Sequence, residues 1–209
     1  MLIKALVFDF DGTIADTWKV IFKILREHQE EWRLPEITKE TIADFRGKPF
    51  FELIKKYNIV LLKLPFIVSK TQKELKSRMV QVSLFKGIKE VIMSLKKRGY
   101  PLGILTTNSK ENVLYFLKHH GLDIFDFIQS ERSILGKDKG LRNILDKNNL
   151  QPTEVLYIGD EIRDIDACKE NNVKIISVTW GFNTKKILKK NKPDFLVDTP
   201  SEILKIVSK

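Results

Sequence analysis

The sequence contains few of the residues on which two common kinds of site depend. Its 209 residues include a single cysteine, Cys168, and three histidines. One cysteine excludes an intramolecular disulfide and a zinc site of the CxxC type, and it suits a reducing compartment. The histidines, His28, His119 and His120, lie on predicted helices without metal-ligand spacing. We interpret them as surface or helix-end residues, and Cys168 as a small buried residue.

Long apolar runs are missing as well. The chain has no run of 18 apolar residues, and no apolar stretch of signal-peptide length precedes Asp9. We therefore expect no membrane segment and a cytoplasmic location.

Basic residues outnumber acidic ones and give a formal net charge of +10. Such a balance can indicate an anionic partner such as nucleic acid. However, most of the basic residues are lysines in short runs on predicted helical surfaces, and no basic stretch carries interleaved aromatic residues. We interpret the charge as a solvated surface and expect no nucleic-acid partner.

The composition is that of a globular protein, and its apolar residues alternate between strand and helix patterns. Short apolar runs predict strands over residues 3–9, 101–107, 155–159, 174–179 and 194–197. Amphipathic patterns predict helices over residues 87–98, 109–120, 139–148, 162–172, 184–191 and 201–208. This alternation predicts a Rossmann-like parallel sheet flanked by helices, which binds ligands outside the carboxyl ends of its strands.

Residues 16–82 interrupt that alternation with helical patterns only. Helices are predicted over 17–32, from an N-cap at Thr38, over 48–57 and over 66–82. The prediction is therefore a core domain of residues 1–15 and 83–209, with an α-helical cap of residues 16–82 inserted after the first strand.

The first strand ends in VFDFDGT, which places Asp9 and Asp11 one residue apart. Alternate residues of a strand project to the same side, so the two carboxylates would repel unless a cation or a proton relieves them. An ordinary polar turn at Asp-Gly is the competing interpretation, and the stretch alone does not decide between them.

Polar residues also follow the other predicted strands. They are Thr106, Thr107 and Asn108, then Lys137 before a helix start, and Asp160, Glu161 and Asp164. Parallel strands bring their carboxyl ends to one edge, so acids, a hydroxyl, an amide and a lysine are predicted to converge there.

In this order the stretches DFDGT, TTN, GKDKG and IGDEIRD resemble the four motifs of the haloacid dehalogenase (HAD) superfamily of phosphohydrolases. The likeness spans essentially the whole chain. It implies a HAD-like core with a helical cap, in a layout most similar to that of the phosphoglycolate phosphatases.

The resemblance assigns different roles to the carboxylates. Asp9 would be the nucleophile that attacks phosphorus, and Asp11 the general acid and then the general base. A Mg²⁺ site would involve Asp9, Asp11, Asp160 and Asp164, with Asp11 contributing its main-chain carbonyl. Asp164 would orient the lysine or a metal-bound water. An acid at position 11 favours phosphoryl transfer over dehalogenation.

The remaining catalytic positions leave two choices open. Thr107 would contact the transferring phosphoryl group with Asn108 beside it, although Thr106 competes with Thr107. Lys137 would neutralise charge on the phosphate. Many relatives have a lysine followed by proline at this motif, whereas neither Lys137 nor Lys139 is followed by proline, so Lys139 competes with Lys137. Lys137 is preferred because Asp138 would then be the helix N-cap.

A cap residue completes the implied site. Arg46, in the sequence Arg46-Gly47-Lys48, resembles the specificity loop of this subgroup; a solvated turn is the alternative. A basic loop there would favour a leaving group with its own negative charge.

The function predicted is Mg²⁺-dependent hydrolysis of a small-metabolite phosphate monoester through a phospho-aspartate. The alternatives are a sugar-phosphate mutase of the same fold, a non-catalytic protein or a nucleic-acid-binding protein. The sequence does not set the oligomeric state or the substrate.

Overall fold

The computed structural model describes residues 3–131, 133 and 136–208. Its strands are β1 (Ala5–Phe8), β2 (Leu102–Thr106), β3 (Phe127–Ser130), β4 (Val155–Gly159), β5 (Lys174–Val178) and β6 (Phe195–Val197). Its α-helices are α1 (Trp18–Glu27), α2 (Lys39–Gly47), α3 (Phe50–Lys56), α4 (Leu64–Arg78), α5 (Ile88–Lys97), α6 (Lys110–His119), α7 (Lys137–Lys147), α8 (Ile162–Glu170), α9 (Lys185–Lys190) and α10 (Ser201–Val207). Met1, Leu2, Arg132, Ile134, Leu135 and Lys209, which fall in the predicted core range, lie outside the described residues.

The strands form one parallel sheet in the order β3-β2-β1-β4-β5-β6. The chain builds outward from β1 to β3, and then returns to the other side of β1 with β4. The predicted fold class, a parallel sheet flanked by helices, is confirmed. The order reverses between β1 and β4, and a crevice opens at such a switch point.

Strand β1 shows why both faces of the sheet are covered. Its four residues are all buried, and they alternate between two apolar clusters. Leu6 and Phe8 pack in the cluster that includes α5, α6 and α10, whereas Ala5 and Val7 pack in the cluster that includes α7, α8 and α9. A central parallel strand therefore reads as a continuous apolar run rather than as an alternating one.

Side chains cap two of the helices, and the sequence predicts the cap at Thr38. Thr38 accepts a hydrogen bond from the Thr41 main-chain nitrogen, and Ser109 accepts one from that of Asn112. The prediction for the helix near residue 139 is wrong in its start: α7 begins at Lys137, and its N-cap is Gly136 rather than Asp138. No side chain caps α7, so cap preference could not locate its first residue.

Strand β3 was not among the predicted strands. It is short, lies at the edge of the sheet and is only partly buried, so its sequence FIQS lacks a strong apolar signal. Phe127 of β3 pairs with Gly103 of β2, and its ring occupies the space that a side chain at Gly103 would need.

Residues 16–82 contain α1 to α4, and α1 packs against α4. The connections into and out of this segment run side by side. The Asp16 main-chain nitrogen donates to the Ser83 carbonyl at 2.9 Å, and that of Phe85 donates to the Ile14 carbonyl at 3.2 Å. This pairing supports, as a proposal, the division into a core and an inserted cap. Across the described residues, no helix is both long and apolar enough to cross a membrane.

Replacement of Gly103 by valine is expected to destabilise the protein by about 1–3 kcal/mol, because the Phe127 ring must move. The matched control is Gly47→Ala in α2, where a Cβ would meet no atom within 4 Å. Alanine there is expected to be neutral or stabilising by up to about 1 kcal/mol. Urea unfolding measures both, and a Gly103→Val midpoint equal to that of the unchanged protein would contradict the packing described.

Candidate active site

The candidate site lies at the carboxyl ends of β1 and β4, where the strand order reverses. Asp9 follows β1, and its main-chain nitrogen continues the sheet by donating to the Ile158 carbonyl at 2.8 Å. Asp160 follows β4 and is fully buried, while Asp9 is 2% exposed. Two carboxylates from separate strands therefore meet at the predicted edge.

One carboxylate oxygen of Asp9 is held and the other is not. Oδ1 accepts a hydrogen bond from the Phe10 main-chain nitrogen at 2.8 Å. Oδ2 lies 3.0 Å from Nζ of Lys137, but it accepts no hydrogen bond from the residues that the structure describes. Burial raises the pKa of Asp9 well above its usual range, and Lys137 opposes that shift.

The Asp11 carboxylate has different hydrogen-bond partners from those of Asp9. Its Oδ1 accepts from Asn108 Nδ2 at 3.0 Å, and its Oδ2 accepts from Thr106 Oγ1 at 3.3 Å. Burial raises the pKa of Asp11, while the nearby Thr17 and Asn108 side chains and the charge of Lys137 oppose the rise. A raised pKa helps this carboxyl to carry a proton.

The two adjacent threonines occupy different surroundings. Thr106 is fully buried; besides its bond to Asp11 it accepts a hydrogen bond from the Asn108 main-chain nitrogen at 2.9 Å. Thr107 is half-buried and lines an open cavity beside Asn108. Of the two, only Thr107 is therefore placed to meet a ligand in that cavity.

The two competing lysines are separated by burial. Lys137 is 3% exposed and forms ion pairs with both Asp9 and Asp164. Lys139, one helical turn or less away, is exposed. Burial lowers the pKa of Lys137, but Asp164 and Asp9 outweigh it and the net shift is upward. Lys137 is the lysine that the fold brings to the carboxylates.

Asp160 and Asp164 are each held by hydrogen-bond donors. Asp160 accepts from Thr13 Oγ1 at 2.8 Å and from the Phe182 main-chain nitrogen at 2.6 Å. Asp164 accepts from the Tyr157 hydroxyl at 3.0 Å and from the Glu161 main-chain nitrogen at 2.9 Å, in addition to Lys137. These donors fix the direction of both carboxylates.

Asp9, Asp160 and Asp164 together form a possible cation site. Each offers one oxygen atom, and these atoms lie within 4.8 Å of one another. All-oxygen donors suit Mg²⁺, and the unsatisfied Oδ2 of Asp9 leaves an acceptor for it. Burial, together with the charges of Glu161 and Asp164, raises the pKa of Asp160 to about 8, and a bound cation would favour its ionised form. The residues fit the ion that the sequence predicts.

Two glycines let the backbone approach these carboxylates. Gly12 has a φ of 87°, and a Cβ there would collide with the Asp160 carboxylate and the Trp18 indole. A Cβ at Gly159 would lie 2.5 Å from the Asp164 carboxylate carbon. Larger residues at either position would displace a carboxylate of the site.

Several contributors were not assigned to the site from the sequence. Tyr157 orients Asp164, and Arg163 forms an ion pair with the buried Glu161 at 2.6 Å. Burial raises the pKa of Glu161, but Arg163 outweighs it and the net shift is downward. Tyr157 lies inside an apolar strand, where no sequence signal separates it from a packing residue. Arg163 lies within the GDEIRD stretch, which could have indicated it.

Phe182 connects the site to the inserted helices. Its main-chain nitrogen donates to Asp160, and its ring stacks on Trp18 of α1 with centroids 3.9 Å apart. On the far side of the cavity, the Gln72 side chain of α4 donates to the Thr107 carbonyl. The insertion therefore contacts the site through α1 and α4.

Arg46 of α2 also reaches the loop that contains Phe182. Its guanidinium donates to the Phe182 carbonyl at 2.8 Å and to the Gly181 carbonyl at 3.3 Å. In this arrangement Arg46 attaches the insertion to the core, and its predicted contact with substrate stays a prediction. The nearby Lys48, rather than Arg46, lines the cavity.

The comparisons with known proteins agree with this architecture. Residues 6–178 match the haloacid dehalogenase-like hydrolase family. The chain is similar to a phosphoglycolate phosphatase from Synechococcus elongatus, with 30% identity covering 98% of this chain and 97% of that protein. It is also 26% identical to the pyrophosphatase PpaX of Bacillus mycoides, covering 100% of this chain and 99% of that one.

Among solved structures, the fold is similar to that of a predicted phosphatase from Clostridium acetobutylicum. The TM-score is 0.86 and the identity 24%, and the match covers 100% of both chains.

Addition of Mg²⁺ is expected to raise the melting temperature, because the ion binds a cluster of carboxylates that is assembled only in the folded state. At about 100 times its Kd the ion adds about 2.7 kcal/mol, or roughly 5–10 °C for a chain of this size. Asp160→Asn should remove most of the shift. The exposed Asp123→Asn should retain it, and equal shifts in both variants would contradict the site.

Proposed function

Because the chain belongs to the haloacid dehalogenase-like hydrolase family, we propose that it is a Mg²⁺-dependent phosphatase acting on a small phosphate monoester. The observation that carries the proposal is the separation of two kinds of carboxylate at one sheet edge. Asp9 lies with Asp160, Asp164 and Lys137, whereas Asp11 is held apart by neutral donors. The first set of residues is suited to binding a cation and a phosphoryl group, and the Asp11 carboxyl group is suited to carrying a proton.

In the first step an oxygen of Asp9 attacks phosphorus, and the bond from phosphorus to the leaving-group oxygen breaks. Asp11 gives its proton to that oxygen, which leaves as an alcohol and produces phospho-Asp9. The raised pKa of Asp11 supports this role, since the carboxyl must begin protonated. Asn108 and Thr106 hold the Asp11 carboxyl group in place by hydrogen bonds, so Asn108 contributes to the reaction partly by orienting Asp11.

In the second step Asp11, now a carboxylate, takes a proton from water, and the water oxygen attacks phosphorus. The bond to Asp9 breaks and inorganic phosphate leaves. Lys137, paired with Asp9 and held by Asp164, offsets negative charge on the phosphoryl group in both steps. Thr107 lines the cavity, and its hydroxyl would contact that group. Mg²⁺, when bound at the aspartates, supplies further positive charge to the phosphoryl oxygens.

The inserted helices act as a cap in this proposal. Trp18 and Arg46 contact Phe182, whose main-chain nitrogen donates to Asp160, and Gln72 contacts the Thr107 carbonyl. A cap in this position excludes bulk water while the phospho-aspartate exists and must open to exchange substrate and product.

The two aspartates are expected to respond differently to the leaving group. With an alkyl phosphate, Asp11→Asn should lower kcat by about 10²–10⁴-fold, because the leaving alkoxide needs a proton. With p-nitrophenyl phosphate the first step needs little help, so this variant should release a burst of p-nitrophenol and then stall as phosphoenzyme. Asp9→Asn should show neither burst nor turnover.

Rapid-quench kinetics measures the burst, with Asp123→Asn as a surface control. Wild-type turnover by a folded Asp9→Asn variant would contradict the proposed nucleophile, and equal losses on both substrates in Asp11→Asn would contradict the proposed acid.

The neighbouring lysines offer a matched pair for stability and activity. Lys137→Met leaves Asp9 and Asp164 buried without their cation, so it should cost about 3–5 kcal/mol and abolish turnover. Lys139→Met should change the unfolding free energy by no more than about 0.5 kcal/mol and leave turnover intact. Urea unfolding and phosphate release measure the two effects. The opposite order would reassign the phosphate lysine.

A further inference from the structure

We propose that the site prefers phosphate monoesters with an apolar leaving group, such as a medium-chain alkyl or an aryl group, over esters whose leaving group carries its own negative charge. This inference rests on the phosphatase activity proposed above and concerns the part of the site that receives the leaving group.

The proposal starts from a cavity of about 240 Å³ between the catalytic edge and the inserted helices. Asp11, Thr107 and Asn108 line it at the catalytic edge. Because Asp11 is the proposed acid for the leaving-group oxygen, the group attached to that oxygen extends into this cavity.

One apolar face of α1 and one of α4 line the cavity. In α1 the lining residues follow helical spacing, at Trp18, Ile21, Phe22 and Leu25. In α4 they recur in the same way from Leu64 to Leu75. Apolar helix faces normally pack closely in an interior, where voids larger than a water molecule are rare. Here the faces surround a space, and an apolar group bound in it would be removed from water.

The charges at the cavity argue against an anionic leaving group. Lys48, from the loop that follows α2, is paired at 2.8 Å with Asp44, which also pairs with Lys56, and Arg163 is paired with Glu161. The acidic residues that also line the cavity, Asp11 and Glu161, offer no positive charge to a further anion. The basic loop at 46–48 was expected to favour a charged leaving group, but its side chains are already engaged by the protein.

The size of the cavity sets the scale of the leaving group. An apolar cavity of about 150 Å³ is enough to bind benzene, so this one accepts a larger ring or an alkyl chain. Gln72 contacts the catalytic edge, and Leu64 lies about 12 Å further along α4. The buried Thr71 hydroxyl between them has no hydrogen-bond partner among the described residues. It could serve one polar atom on an otherwise apolar group.

The first experiment compares phosphate release from ethyl, butyl and hexyl phosphate, whose leaving alcohols are of similar acidity, with release from phosphoglycolate and inorganic pyrophosphate. We expect kcat/KM to rise about two- to fourfold for each added methylene, and hexyl phosphate to exceed both anionic substrates. Release that is fastest from phosphoglycolate or pyrophosphate, or independent of chain length, overturns this inference and leaves the phosphatase proposal standing. No release from any substrate overturns the phosphatase proposal itself.

The second experiment tests the place of the chain in the cavity. Val68→Ser should lower the ratio of kcat/KM for hexyl over ethyl phosphate by threefold or more, because Val68 lines the cavity about 6 Å along α4 from Gln72, within reach of a six-carbon chain. The control is Leu62→Ser; Leu62 is 92% exposed and does not line the cavity, so its ratio should equal that of the wild type. Both substrates are measured on one preparation, so a partly unfolded variant does not alter the ratio. An unchanged ratio in Val68→Ser overturns the assignment of this cavity.

Discussion

The structure of the site depends on the burial of several carboxylates at one point of the sheet. Asp9, Asp160 and Asp164 converge where the order of the strands reverses, and two of them show raised pKa values that reflect their loss of solvent. Lys137 compensates part of that charge, and main-chain donors fix the remaining directions. A site with this residual negative charge is suited to a divalent cation and a phosphoryl group together, since each relieves a different part of the imbalance.

The division of labour between the core and the insertion follows from the same geometry. The core holds the charged groups on strand ends, where main-chain hydrogen bonds keep them rigid. The insertion contributes mainly apolar surface from α1 and α4, facing the catalytic edge across the cavity. In the proposed function, chemistry and leaving-group selection are therefore carried by different parts of the chain, so changes in α1 or α4 would alter the substrate without disturbing the aspartates.

Most of the site could be predicted because its residues lie directly after strands, and strand ends of a parallel sheet meet. That reasoning located Asp9, Asp11 and Asp160 from the sequence. It could not separate Thr106 from Thr107, because the direction of each side chain depends on the local turn. It missed β3, whose edge position weakens its apolar pattern, and it misplaced the start of α7, which has no side-chain cap. The attachment of Arg46 to Gly181 and Phe182 joins residues more than a hundred positions apart, and nothing local encodes it.

Phe182 contacts both the inserted helices and the possible cation site, and can therefore couple the two energetically. Its main-chain nitrogen holds Asp160, and its ring holds α1 through Trp18. If closure of α1 onto Phe182 improves the placement of Asp160, it tightens cation binding, and by linkage a bound cation must favour closure by the same free energy. The two events are then one reciprocal equilibrium, and its coupling passes through a single peptide unit and one aromatic stack.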